Sequence, residues 1–146
     1  MFKHILIATD GSAISNKAAK AGIALARALG AKVLAYCAVE PMQPIYVEGY
    51  AFDQKVIEEI EQHARKAAQN RVDAIGKMAK AASVSFTSVV TKAFTPYEGI
   101  INAAKKQKCD VIFMASHGRR GISALIMGSV TQKVLTHSRL PVVVYR

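Results

Sequence analysis

Residues 110–130 read DVIFMASHGRRGISALIMGSV. Asp110 to Ala115 is an apolar run of strand length without polar alternation, the pattern of a strand buried on both faces. Gly118 and Gly121 then interrupt it with Arg119 and Arg120 between them, and Gly128-Ser129 reads as a helix start with Ser129 as the expected N-cap. A buried strand, a glycine-rich turn and a helix in that order form the repeating unit of a parallel α/β sheet.

Working outward, the same unit recurs. Lys3 to Thr9 (KHILIAT) is an apolar run closed by Asp10-Gly11-Ser12, after which Ile14, Ala18, Ala21, Leu25, Ala28 and Leu29 fall at helical spacing up to Gly30. Lys32 to Val39 (KVLAYCAV) reads as a second buried strand. Glu40 to Phe52 holds two prolines, Gly49 and several aromatics, and reads as a surface loop. Ile57, Ile60, Ala64, Ala67, Val72, Ile75, Met78 and Ala82 mark one stripe of a long helix. Val84, Phe86 and Val90 alternate with Ser85, Thr87 and Thr91, the half-polar pattern of an edge strand. Thr95-Pro96-Tyr97-Glu98 carries the signature of a capping box with proline at the first helical position, and Lys105, Lys106 and Lys108 suit the negative end of that helix. Pro141 to Tyr145 (PVVVY) closes the chain as a fifth strand.

Strands separated by helix-length crossovers must run parallel, with helices on both faces. The expected fold is therefore α/β: a doubly wound, Rossmann-like sandwich with a five-stranded parallel sheet. Neither an internal repeat nor a linker divides the chain, so residues 1–146 read as a single domain. In such sheets ligands bind beyond the carboxyl ends of the strands, where strand order reverses. Ala8-Thr9-Asp10-Gly11 and Ala115-Ser116-His117-Gly118 are the segments expected to meet there.

Composition narrows the function. With 51% apolar residues, 7% aromatics and no Trp, the core must be aliphatic. Cys37 and Cys109 each lie inside an apolar run, outside any CxxC pair, which argues against disulfides, zinc and redox chemistry. The amino terminus lacks the features of a signal peptide, and no stretch approaches the roughly 20 apolar residues of a membrane span, so the protein is expected to be soluble and cytoplasmic. A formal charge of +10 attracts anions without choosing among them. Nucleic acid is not favoured, because no aromatic stacking platform or known binding motif accompanies the charge.

Residues 115–130 offer chemistry suited to an anion. Glycines let the backbone approach a ligand closely, a helix N-terminus presents free amides at its positive end, and Arg119 and Arg120 supply forked donors. No GxxxxGK[ST] loop occurs, and the turn after the first strand lacks GxGxxG. His117 could bind phosphate or face water. Ser116-His117 suggests a nucleophile and base, but the GxSxG elbow is absent and adjacent side chains are expected to diverge. Asp10, at a strand end, could hold a sugar or cap a helix. His4, His63 and His137 show no metal-ligand spacing.

The glycine spacing resembles the universal stress protein family, whose nucleotide-binding members carry G-x2-G-x9-G-[ST] after the fourth strand. Ala115, Gly118, Gly128 and Ser129 occupy those positions, with Ala115 where the family has glycine. ILIATDGS near the start and SRLPVVVY near the end are also similar to the family's ends. The resemblance implies an adenine nucleotide alpha hydrolase-like fold that binds ATP or AMP, with Mg²⁺ accompanying ATP. It places Asp10 on the ribose hydroxyls, with Ala8 and Thr9 beside it. Val39 meets the adenine edge through its backbone and Met114 packs nearby. Gly118, Arg119, Gly128, Ser129 and Val130 surround the phosphates, with His117 beside them. It further implies a homodimer paired through residues 141–145. The resulting expectation is a stress-response regulator that binds an adenine nucleotide. Slow ATP hydrolysis and a dimeric scaffold that binds no nucleotide remain alternatives. No carboxylate cluster is available to fix Mg²⁺ for hydrolysis.

Overall fold

The computed structural model describes residues 1–42, 46–47, 50–51, 53–118 and 127–146. Its main sheet contains β1 (His4–Ala8), β2 (Lys32–Val39), β5 (Phe86–Lys92), β6 (Val111–Ala115) and β7 (Val142–Tyr145), in the order β5-β2-β1-β6-β7. Every neighbouring pair in it is parallel. The chain winds outward from β1 through β2 to β5, then crosses back to β6 on the other side. Strand order therefore reverses between β1 and β6.

Four helices are described: α1 (Ala13–Leu29), α2 (Gln54–Ala81), α3 (Pro96–Lys106) and α4 (Ser129–His137). They cover both faces of the sheet. On one face Ile5, Ile7, Val33, Ala35 and Phe113 pack with Ala18, Ile23, Val72 and Ile75 of α1 and α2. On the other, Leu6, Leu34, Tyr36 and Ile112 pack with Ile100 and Ala104 of α3 and Val134 of α4. β1 and β6 are buried throughout, which explains why they show no polar alternation. β5 forms one edge, as its alternation indicated, and β7 forms the other.

Several local expectations need correction. The segment after β2 is not a plain loop: β3 (Tyr46–Val47) and β4 (Tyr50–Ala51) pair antiparallel within it. At 1.5 Å per residue the 28-residue α2 is about 42 Å long, yet its buried residues all lie between Ala68 and Ala79. Its first half is mostly exposed, and Ile60 is 42% exposed although it falls on the apolar stripe. The buried face of α1 is likewise turned toward Ser15, Ala19, Gly22 and Ala26, leaving Ala28 exposed. Thr95 caps α3 ahead of Pro96, but its hydroxyl donates to the Glu98 carboxylate rather than capping a backbone amide.

Candidate functional site

The two segments expected at the switch point do meet. A Cβ placed on Gly118 would fall 2.4 Å from Asp10 Oδ2, so any side chain there would strike the carboxylate. That approach brings the turn after β6 against the turn after β1.

Local bonding shapes the β1 turn. Asp10 Oδ1 accepts the Ser12 amide at 2.9 Å, a side-chain turn that closes the loop. Ser12, not Asp10, is the N-cap of α1, and its hydroxyl accepts the Ser15 amide at 3.2 Å. Thr9 is buried, and its hydroxyl bonds Ser15 Oγ and accepts the Gly11 amide, each at 3.1 Å. The Thr9 side chain therefore braces the turn. Ala8 is buried just before it.

Beyond β6 the chain is pinned from both sides. The Ser116 amide donates to the Tyr145 carbonyl at 2.7 Å, and its carbonyl accepts the Gly128 amide at 2.7 Å. Thr131 donates its hydroxyl to the Ala115 carbonyl at 2.9 Å. These bonds hold the start of α4 against the end of β6. The N-cap of α4 is Gly128, with Ser129 as the first helical residue and no side-chain cap, which corrects the expected role of Ser129. Neither α1 nor α4 carries an acidic residue in its first turn, so the positive ends at the crevice are uncompensated by their own helices.

Ala115 lies in regular strand, and among the described residues only Ser83 and Lys108 are non-glycines at positive φ. Its extra methyl relative to the family's glycine therefore brings no backbone strain. Met114 is buried on the face of Ala8, with Val130 packed beside that cluster. Val39, on the opposite face, ends β2 and accepts the Ala93 amide at 3.0 Å, leaving a second carbonyl lone pair. It also lines a cleft of about 100 Å³ with Arg65, Val90, Thr91 and Lys92. Arg119, with Arg120 and Gly121, lies outside the described residues.

The side chains of Ser116 and His117 do not diverge: Ser116 Oγ and His117 Nδ1 are 3.0 Å apart. Gly128 packs against the same histidine, its ideal Cβ 3.1 Å from His117 Cα. The burial of Ser116 could not be read from a lone serine between a strand and a histidine.

A larger cleft of about 450 Å³ opens at the other end of the sheet, lined by Lys3, Arg27, Lys32 and Ser83 among others. Helix C-termini point to that end, so its cations compensate negative dipole ends. The crevice where Gly118 approaches Asp10 lies at the carboxyl end. Cys37 and Cys109 are both buried, and burial pushes the Cys109 thiol up to about 11. No group of three His, Cys, Asp or Glu side chains suited to a metal occurs among the described residues, and no described helix is long and apolar enough to cross a membrane.

This is a doubly wound α/β protein whose β1 and β6 turns meet at its switch point. The profile of the universal stress protein family matches residues 1–146, and the chain belongs to that family. A universal stress protein from Thermus aquaticus is 32% identical over 146 residues, covering 100% of both chains. A universal stress protein solved in complex with cAMP superposes with a TM-score of 0.73 at 21% identity, covering 99% of this chain and 97% of the other. The universal stress protein from Archaeoglobus fulgidus solved in complex with dAMP gives 0.65 at 16%, covering 100% and 98%.

Proposed function

We propose that this chain is a regulatory universal stress protein that binds an adenine nucleotide at the carboxyl edge of its sheet. The carrying observation is the contact between Gly118 and Asp10, a cradle that a single Cβ would fill. It sets the glycine backbone after β6 beside a carboxylate able to accept from ribose hydroxyls. Asp10 Oδ1 braces the turn, and Oδ2 faces the Gly118 backbone. Val39 at the end of β2 suits the adenine edge. Ala8, Thr9, Met114 and Ala115 form the floor, and Gly118, Gly128, Ser129 and Val130 the phosphate side. The cAMP and dAMP complexes of the related folds support an adenylate as ligand. ATP or AMP, with Mg²⁺ beside ATP, is the specific choice, and occupancy shifts the population toward the conformation that binds better.

Melting scans with millimolar ATP, ADP and AMP test this reading. Binding at 100-fold over Kd stabilises by about 2.7 kcal/mol, a rise of several degrees. A midpoint that none of them moves refutes it.

The same reading makes the chain a cytoplasmic homodimer joined along β7. Val142–Tyr145 is an apolar strand at the sheet edge, a surface that pairing would cover.

A further inference from the structure

The 3.0 Å contact between Ser116 Oγ and His117 Nδ1 decides which ring nitrogen of His117 carries the proton. Ser116 is only 4% exposed. Its amide is taken by Tyr145 and its carbonyl by Gly128. The hydroxyl is its remaining polar group, and the contact to His117 is the one hydrogen bond it makes among the described residues.

A neutral imidazole has one donor and one acceptor. With the proton on Nδ1, the ring would donate to Oγ, and the buried hydroxyl proton would be left without an acceptor. With the proton on Nε2, Nδ1 accepts that hydroxyl proton, and all three polar groups of Ser116 are satisfied. An unmade buried donor is the costly case, so the second arrangement prevails. Nε2 has no hydrogen-bond partner among the described residues. His117 is partly exposed and adjoins Gly118 and Gly128, the two glycines of the crevice.

We propose that Ser116 is a positioning residue that holds His117 in the Nε2–H tautomer, so that a neutral His117 offers a fixed N–H donor to an anionic oxygen of the nucleotide. The opposite tautomer would turn a lone pair toward that oxygen and repel it. The identity of the acceptor rests on the nucleotide reading above; the tautomer does not.

Long-range ¹H–¹⁵N correlation spectra of the full-length protein at about pH 8, above the ordinary histidine value, report each ring nitrogen. His117→Gln assigns the His117 signals among the four histidines. The wild type is expected to show Nδ1 unprotonated and Nε2 protonated. Ser116→Ala should mix the tautomers, and Ser116→Thr, which keeps the hydroxyl, should restore them. In titrations with AMP, His117→Leu, which removes the N–H donor, should weaken binding roughly ten- to hundredfold, as for one lost hydrogen bond to a charged group, and Ser116→Ala by about twofold, the share of rings left in the other tautomer. The double variant should be no worse than His117→Leu alone. A wild-type His117 protonated on Nδ1, a tautomer unmoved by Ser116→Ala, or AMP affinity indifferent to a changed tautomer overturns the proposal. A wild type that shows Nε2–H yet binds no AMP refutes the nucleotide reading and leaves the role of Ser116 in setting the tautomer standing.

Discussion

Arg71 lies across Gly11: a Cβ on that glycine would stand 2.7 Å from Arg71 Nε and 2.8 Å from Cδ. The same guanidinium donates to Cys37 Sγ at 3.9 Å, so one α2 side chain ties the first turn of the site to the second strand. Gly11 also has φ +79°, where a side chain costs about 1–2 kcal/mol. Gly11→Ala should therefore lower stability by at least that amount in urea unfolding. Arg71→Ala removes the clash but not the dihedral cost, so the double variant should lose less than the sum of the singles. Strict additivity would show that Arg71 moves aside freely.

Gly118→Ala tests the cradle itself. Gly118 is not at positive φ, so the new methyl meets Asp10 without backbone strain. AMP affinity should fall tenfold or more while the melting temperature changes little. A variant that binds as well as wild type would mean that the nucleotide does not use this approach.

His4 gives the fold a pH dependence. It is 7% exposed, and neither ring nitrogen finds a hydrogen-bond partner among the described residues. Burial first, then the Lys32 charge, hold its pKa below 6.5; the Lys108 and Gln107 carbonyls and Asp110 oppose them less strongly. The folded state resists protonation, whereas the unfolded chain takes the proton near pH 6.5. The stability this group contributes is therefore complete above that value and is lost as pH falls toward the lowered folded value. Chemical denaturation between about pH 7 and pH 5 should show that decline, and His4→Leu should flatten it. An unchanged slope in the variant would assign the decline to other groups.

The β7 edge predicts a separable assembly defect. Ile112 and Ser116 donate to the carbonyls of Pro141 and Tyr145. Alternate residues of a strand point their backbone groups to the same side, so Val142 and Val144 present theirs outward. Val144→Pro deletes an outward donor and leaves the β6 ladder intact. Sedimentation should show a dimer for wild type and a folded monomer for Val144→Pro. A dimeric variant would move the interface elsewhere.

The fold was legible because β1, β2 and β6 are buried on both faces, and continuous runs such as ILIA and VIFMA have few other readings. Helix rotation was less legible. α1 and α2 are rich in alanine on several faces, so packing rather than periodicity decides that Ala19 is buried and Ala28 is not. The exposure of the first half of α2 depends on which neighbours the fold brings against it, which no local pattern encodes. In the crevice, the meeting of Asp10 with Gly118 followed from topology. The bracing by Thr9, the cap at Gly128 and the Ser116–His117 bond are set by side-chain directions that spacing does not fix.

The most direct test of the central claim is calorimetric titration of AMP and ATP into the wild-type protein stripped of ligand, with Asp10→Ala alongside. The account predicts saturable one-to-one binding to the wild type. Loss of hydrogen bonds to a charged acceptor, about 1.5–3 kcal/mol, should weaken binding to Asp10→Ala ten- to hundredfold. Equal affinity in both proteins, or no binding heat for either nucleotide in the wild type, would contradict it.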